Sequence, residues 1–111
     1  MVTANATATA ILTENPDIVT LVAMGSYGKF RTDEDEQCGL YIRNLLGGRQ
    51  PDKNSVRQLI LVGEESQKYD DSNLPHFDPM DRVIALQIDR FKFAMPVTKE
   101  DGLLTLLKFP L

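Results

Sequence analysis

The sequence predicts an α/β fold in which a central buried strand packs against helices and a C-terminal β-hairpin ends the chain. Residues 17–25 (DIVTLVAMG) form an unbroken apolar run rich in Val, Ile and Leu, which is typical of a strand buried on both faces of a parallel sheet. Residues 33–46 carry acids first and then apolar residues at helical spacing. Asp101-Gly102 separates two apolar runs, which favours a tight hairpin turn.

Length and composition are those of one globular domain, which we expect to cover residues 1–111. The 111 residues are 42% hydrophobic and 25% charged, values close to ordinary globular usage. The net charge of -4 argues against nucleic acid as a partner. Cys38 is the only cysteine, and no signal peptide or membrane span is evident, so we expect a cytoplasmic protein without a membrane partner.

Start and stop signals place the first two helices. Residues 3–12 are alanine-rich and precede Asn15-Pro16, so a first helix is expected to stop near Thr13. A second helix is predicted over Asp33–Leu46, because Thr32 with Asp35 three residues later is a variant of the capping box and Gly47-Gly48 ends the pattern. Its apolar stripe consists of Leu40, Ile42, Leu45 and Leu46.

The second half of the chain predicts further helices before the hairpin. Pro51-Asp52 opens a helix that extends to about Tyr69, although residues 59–63 (LILVG) are equally consistent with a short strand. The inward side chains of that helix are expected to be Val56, Leu59, Ile60 and Val62. Asp78-Pro79 is typical of an N-cap and first position, and predicts a short helix that reaches Leu86 or Ile88.

The loop before the second helix offers two kinds of chemistry side by side. Gly25, Ser26, Gly28 and Lys29 follow the predicted strand, and such a strand, glycine loop and helix start are suited to binding an oxyanion. Four consecutive acids at residues 33–36 occupy the same helix start. A divalent cation would resolve this conflict, because Mg²⁺ binds carboxylates together with substrate phosphate. The alternative is that the acids only complement the helix dipole.

Three other polar positions are candidates for chemistry. Cys38 follows the acids, which oppose thiolate formation, so a small buried side chain is a better interpretation than a nucleophile. His76 is a lone histidine in a polar loop and is more typical of a loop hydrogen bond than of a ligand. Arg90, beside Asp89, is either part of a surface ion pair or an anion clamp.

Residues 22–46 (VAMGSYGKFRTDEDEQCGLYIRNLL) resemble a segment of the 2-phosphosulfolactate phosphatase family. In that family a strand ending in a small-Gly pair is followed by Gly-x-Phe and by Glu-Asp-x-x-Cys. Residues 4–12 (ANATATAIL) and 76–97 (HFDPMDRVIALQIDRFKFAMPV) are similar to the family's upstream helix and C-terminal stretch. The positions on the pattern are Gly25, Gly28, Phe30, Glu34, Asp35 and Cys38.

This resemblance implies a Mg²⁺-dependent phosphatase that acts on a small phosphorylated acid in coenzyme M biosynthesis. It implies metal-binding and catalytic roles for Glu34 and Asp35, and substrate-binding roles for Gly25, Ser26, Gly28, Lys29 and Arg90. The sequence does not distinguish Mg²⁺ from Mn²⁺, since both accept oxygen ligands.

The first-half motifs of the family, similar to Asp-Val-Leu-Arg-Ala-Thr-Thr and Thr-Thr-Asn-Gly-Thr, do not occur in this sequence. We therefore expect the chain to represent the C-terminal half of the phosphatase fold, acting with an N-terminal half. The alternative is a small non-catalytic module that binds a partner. A half-fold would expose core surface, which favours a homo-oligomer or association with the missing half.

Overall fold

Five helices and two small antiparallel sheets make up a mixed α/β fold in a computed structural model that describes residues 1–111. A single 3-10 turn, Lys68–Asp70, follows the fourth helix directly. The helices are α1 (Ala4–Glu14), α2 (Asp33–Leu46), α3 (Lys53–Leu61), α4 (Glu64–Gln67) and α5 (Pro79–Ala85). None of them has the length and apolar character needed to span a lipid bilayer.

Local capping signals explain where these helices begin and end. Asn15 adopts a left-handed conformation (φ 48°) directly after α1, as a helix C-terminus commonly requires. The Asp52 carboxylate accepts a hydrogen bond from the Ser55 amide at 2.7 Å at the start of α3. The Asp78 carboxylate accepts one from the Met80 amide at 2.8 Å at the start of α5. The predicted helices over residues 3–12, 33–46 and 79–86 are confirmed.

The predicted C-terminal hairpin is confirmed. Strands β2 (Val97–Glu100) and β3 (Leu103–Leu106) pair antiparallel, with Glu100 opposite Leu103. Asp101 and Gly102 both have positive φ, 50° and 80°, as a type I′ turn requires. Flanking strands β1 (Phe93–Ala94) and β4 (Phe109–Pro110) form the second two-stranded sheet.

The predicted central buried strand over residues 17–25 is wrong for this chain. Residues 17–24 are exposed, lie outside any strand, and make no backbone hydrogen bond. The side chains of Ile18 and Val22 are 83% and 70% exposed. A strand needs a neighbour to pair its backbone groups, and all four strands of this chain pair with one another.

The long helix predicted from Asp52 to about Tyr69 is interrupted. It ends at Leu61, and a new turn begins after Gly63, which has the extended conformation of an N-cap. The helical interpretation of residues 59–61 is confirmed and the strand alternative is wrong. Val56 and Ile60 are buried as expected, whereas Leu59 and Val62 are exposed.

A small apolar core joins the helices and positions the start of α2. Its buried members come from α1, α2, α3 and the segment after α5, and they are Ala4, Tyr41, Val56, Ile60 and Ile88. Ile42, Leu45 and Leu86 pack against this cluster from its edge. Tyr41 is the buried residue of α2, whereas Leu40, which was predicted to face the core, faces solvent.

Candidate functional site

The loop of residues 25–31 is held against the start of α2 by its own hydrogen bonds. The Gly25 amide donates to Asp35 Oδ2 at 2.7 Å. The Ser26 amide donates to the Phe30 carbonyl at 2.8 Å, and the Ser26 carbonyl accepts from the amides of Lys29 and Phe30. The loop is therefore a closed turn that Asp35 ties to the helix.

This closure changes what the loop offers to an oxyanion. The amides of Gly25 and Ser26, two of the predicted substrate-side groups, already have acceptors within the chain. Gly25 is required by the turn, since it has φ 65° and a Cβ there would overlap the Phe30 carbonyl oxygen. Gly28 also has φ 65°, but open space surrounds its Cβ position. The Gly25 and Ser26 amides are therefore not free to bind an oxyanion in the closed turn.

Glu34 and Asp35 line one cavity of about 190 Å³, which we call the acidic cavity. The structure thus brings together the two carboxylates for which catalytic and metal-binding roles are predicted. Glu65, Lys68 and Arg82 line the same cavity. Three carboxylates face two side-chain cations and the ammonium group of Met1, which also lines the cavity and acts on Cys38. The lining therefore carries no excess charge.

Glu34 provides a test of whether these residues fit a metal ion. Its Oε2 atom is closed to solvent and has no hydrogen-bond partner, which is unfavourable for a carboxylate oxygen unless a cation or donor reaches it. Asp35 uses only Oδ2 in its bond to Gly25. No group of three or more His, Cys, Asp or Glu side chains surrounds a common metal position. The pair therefore fits an open Mg²⁺ site of the kind that substrate completes, and not a closed cage.

A second cavity of about 140 Å³ lies on the other side of the helix start, and we call it the loop cavity. Gly25, Gly28 and Lys29 of the predicted substrate side line it, together with Arg31 and Glu36. Ser26 lines neither this cavity nor the acidic cavity. Lys29 and Arg31 therefore share the loop cavity with Glu36, whereas Glu34 and Asp35 line the acidic cavity.

Thr32 also lines the loop cavity; it is the N-cap residue of α2, as predicted, but the expected side-chain capping bond does not form. Thr32 has the extended backbone of an N-cap residue, but its side chain accepts no hydrogen bond from α2. Asp35, the expected capping-box partner, is instead bound to the Gly25 amide. As a result the Thr32 hydroxyl is buried without a partner.

Cys38 is half-buried and lines the acidic cavity without a partner cysteine. Burial raises the pKa of its thiol and outweighs the N-terminal ammonium, which lowers it, and the Asp35 carboxylate raises the pKa further. Thiolate formation is therefore disfavoured, which agrees with the interpretation of Cys38 as a small packed side chain. His76 is exposed, with its ring 4.4 Å from that of Phe77, and lines neither cavity.

Arg90 and Asp89 are adjacent in sequence but have different surroundings. Arg90 is exposed, donates to Gln87 at 2.8 Å and covers the Phe91 ring. It lines neither cavity, so the structure does not bring it to the other predicted substrate-binding residues. Asp89 is instead bound by Lys53 and Tyr41, so the Asp89–Arg90 ion pair does not form and the anion-binding role of Arg90 stays a prediction.

Sequence reasoning missed the cations of the acidic cavity. Arg82 donates to the Ser66 carbonyl and hydroxyl and forms a paired interaction with Asp70. Lys68 pairs with Glu65 at 2.7 Å and lies over the Phe77 ring. These residues come from α4, the 3-10 turn and α5, and no local spacing pattern connects them with Glu34. Only the tertiary packing of α4 against α2 brings them together.

Comparison of the chain with known protein families, with curated proteins and with solved structures yields no match. The relation to the 2-phosphosulfolactate phosphatase family thus stays a prediction based on the motifs in residues 4–12, 22–46 and 76–97. The two cavities and the exposed apolar surface are the features of the molecule that bear on its function.

Proposed function

We propose that this chain is the second half of a metal-dependent phosphomonoesterase, with Glu34 and Asp35 as its carboxylate pair. The observation that carries the proposal is the unpartnered Glu34 Oε2 atom beside Asp35 in one cavity. A buried carboxylate oxygen without a donor is expected to have a cationic partner in the functional state.

The residues of the acidic cavity have separable roles in this proposal. Glu34 and Asp35 would hold the metal, and the Gly25–Asp35 hydrogen bond of 2.7 Å orients the aspartate. The metal, once bound, would supply charge stabilisation to a transferring phosphoryl group. Arg82 and Lys68, each held by an acid, would position the negatively charged substrate opposite the carboxylates.

The test measures Mg²⁺-dependent phosphate release from small phosphorylated acids, 2-phosphosulfolactate among them, by the full-length natural protein. We expect Glu34→Gln and Asp35→Asn each to lower this rate by about tenfold or more, because each removes charge from the metal site. Asp81→Asn is the matched control, since Asp81 is exposed on α5 and lines neither cavity.

Metal binding gives a second readout that does not depend on catalysis. Mn²⁺ bound to the protein is detected by electron paramagnetic resonance, and Glu34→Gln should weaken that binding whereas Asp81→Asn should not. Absence of metal-dependent phosphate release, or equal rates in all three variants, would remove the phosphatase proposal.

A second candidate function is supported by a different observation. Only 10 of the 111 residues are buried, and residues 17–24 expose an apolar run whose backbone groups are unpaired. Exposed apolar surface and unpaired extended backbone are typical of a surface that pairs with another polypeptide. We therefore propose, as the alternative, a non-catalytic association module. A particle mass above the 12.4 kDa of the single chain, with no metal-dependent phosphate release, would favour it.

A further inference from the structure

Only one of the four acids at the start of α2 lines the loop cavity. Glu34 and Asp35 line the acidic cavity, the charge of Asp35 Oδ2 is engaged by the Gly25 amide, and the Asp33 side chain packs beside Gly63. Glu36 is the acid of α2 that lines the loop cavity, and two hydrogen bonds from Arg31 neutralise its charge. Lys29, which forms no ion pair, leaves the lining with one excess positive charge.

Thr32 gives this cavity an unsatisfied donor. Thr32 is 5% exposed, lines the cavity, and its Oγ1 atom has no hydrogen-bond partner. Buried hydroxyls are almost always paired, so an orphan hydroxyl beside a cavity indicates a missing partner. Because Thr32 supplies no side-chain cap, the amides of residues 33–35 also have no acceptor within the chain.

We propose that the loop cavity binds a small tetrahedral oxyanion, such as a phosphate group. The anion would accept hydrogen bonds from Thr32 Oγ1 and from the first amides of α2, and Lys29 would supply the compensating charge. Threonine side chains have more than one accessible rotamer, so the hydroxyl can turn towards a bound anion.

Two physical requirements of such a site are met. The 14-residue helix α2 provides a dipole whose positive end faces the anion. The volume of about 140 Å³ compares with about 30 Å³ for one water in the liquid, so a five-atom oxyanion fits. The Gly25 and Ser26 amides contribute nothing, since both have intramolecular acceptors. This site needs no metal, so it goes beyond the proposed phosphatase function.

The experiment is a titration of the natural protein with inorganic phosphate, followed by amide chemical shifts at constant ionic strength and in the presence of a metal chelator. We expect saturable shifts at residues 32–35, and the same response to sulfate, because both anions are tetrahedral. Thr32→Val and Lys29→Gln should each weaken phosphate binding by about tenfold. Lys99→Gln, which removes an exposed lysine of the hairpin, should leave binding unchanged.

Thermal unfolding separates this role from a structural one. Because Oγ1 has no partner, Thr32→Val should leave stability unchanged or raise it, while phosphate binding falls. Shifts that do not saturate, that Lys99→Gln reduces equally, or that Thr32→Val leaves unchanged would overturn the proposal, as would marked destabilisation by Thr32→Val. Binding that appears only with Mg²⁺ and requires Glu34 would overturn it too and would instead support the phosphatase proposal.

Discussion

Asp89 is the residue on which the packing of several elements converges. Its carboxylate accepts hydrogen bonds from the Asn5 amide at 2.7 Å and from the Tyr41 hydroxyl at 3.0 Å, and it pairs with Lys53 at 2.8 Å. Asp89 has φ 61°, a conformation that aspartate and asparagine tolerate better than most residues. One side chain therefore joins the start of α1 to α2 and α3.

The first prediction concerns this carboxylate. Asp89→Ala should lower the free energy of unfolding by about 2 kcal/mol, because three donors lose a charged acceptor. Asp89→Asn should cost less, since an amide oxygen still accepts from Asn5 and Tyr41 and asparagine tolerates positive φ. Chemical denaturation of both variants measures the difference, and equal losses would contradict the role of the negative charge.

The same contacts predict a pH dependence. Burial raises the pKa of Asp89, but the hydrogen bonds from Lys53, Asn5 and Tyr41 outweigh it and hold the pKa below its usual value. A lowered pKa in the folded state means that the stabilisation is present above the unfolded value, about 4. It is lost as the pH falls through the lower folded value.

Burial and the Asp89 hydrogen bond also raise the pKa of Tyr41 to about 12, so this tyrosine stays neutral across the same acid range. Denaturation of the wild type and of Asp89→Asn as a function of pH provides the measurement. The stability gap between them should be constant near neutral pH and should narrow below about pH 4. A gap that widens on acidification would show that another group dominates.

At the scale of elements, the loop before α2 depends on one glycine more than on the other. Gly25 and Gly28 share φ 65°, but only Gly25 has a neighbouring atom, the Phe30 carbonyl oxygen, at its Cβ position. A side chain at Gly28 meets only the cost of left-handed backbone, about 1 kcal/mol. A side chain at Gly25 adds a clash with the backbone of the closed turn.

We therefore expect Gly25→Ala to open the loop and Gly28→Ala to leave it closed. Opening breaks the Ser26–Phe30 pairing and releases Asp35 from the Gly25 amide. Amide hydrogen exchange at Ser26 and Lys29 should accelerate in Gly25→Ala by much more than in Gly28→Ala. Similar exchange rates in the two variants would mean that conformational strain, and not the contact with Phe30, governs the turn.

Elements whose signals are local could be predicted from the sequence. Asp78-Pro79 starts a helix and Asp101-Gly102 turns a hairpin because each pair determines the conformation of its own backbone. Residues 17–24 have a strand pattern that depends on neighbours elsewhere, and no neighbour exists within this chain. The apolar composition of residues 17–24 indicated that this segment needs to be buried, but it did not indicate which polypeptide would bury it.

The candidate site also has residues that the sequence could predict and residues that it could not. Glu34 and Asp35 are consecutive residues on one helix, and a sequence pattern was sufficient to select them. Their separation from Lys29 into different cavities was not predictable, because it depends on the directions that the side chains take around the helix start. Lys68 and Arg82 reach Glu34 only through packing between elements distant in sequence.

At the scale of the whole molecule, the solvent-exposed surface is large for a chain of this length. A folded chain of 12.4 kDa is expected to expose about 6,100 Å² of surface, whereas this chain exposes 8308 Å² and only 10 of its 111 residues are buried. Exposed apolar residues occur on several helices, and two groups of them are contiguous: segment 17–24 and the hairpin, where Leu103, Leu104 and Leu106 all face solvent. Both surfaces have the character of an incomplete core, and both candidate functions require another polypeptide to cover it.

The last prediction is that residues 17–24 become a strand on association. Unpaired amide and carbonyl groups along eight exposed residues are a template for pairing with a further strand. We expect sedimentation to give a mass above 12.4 kDa, for this chain alone or with its natural partner, and the amides of residues 17–24 to become protected from exchange in that particle.

The variant Val22→Lys should prevent this assembly, because it places a charge at a position that pairing would bury. The matched control is Val62→Lys, since Val62 is 74% exposed and lies at the end of α3, away from the segment. Assembly that survives Val22→Lys, or a 12.4 kDa particle under all conditions with rapid exchange at residues 17–24, would identify the segment as an ordinary loop. Loss of assembly in Val22→Lys but not in Val62→Lys would show that residues 17–24 bind the partner.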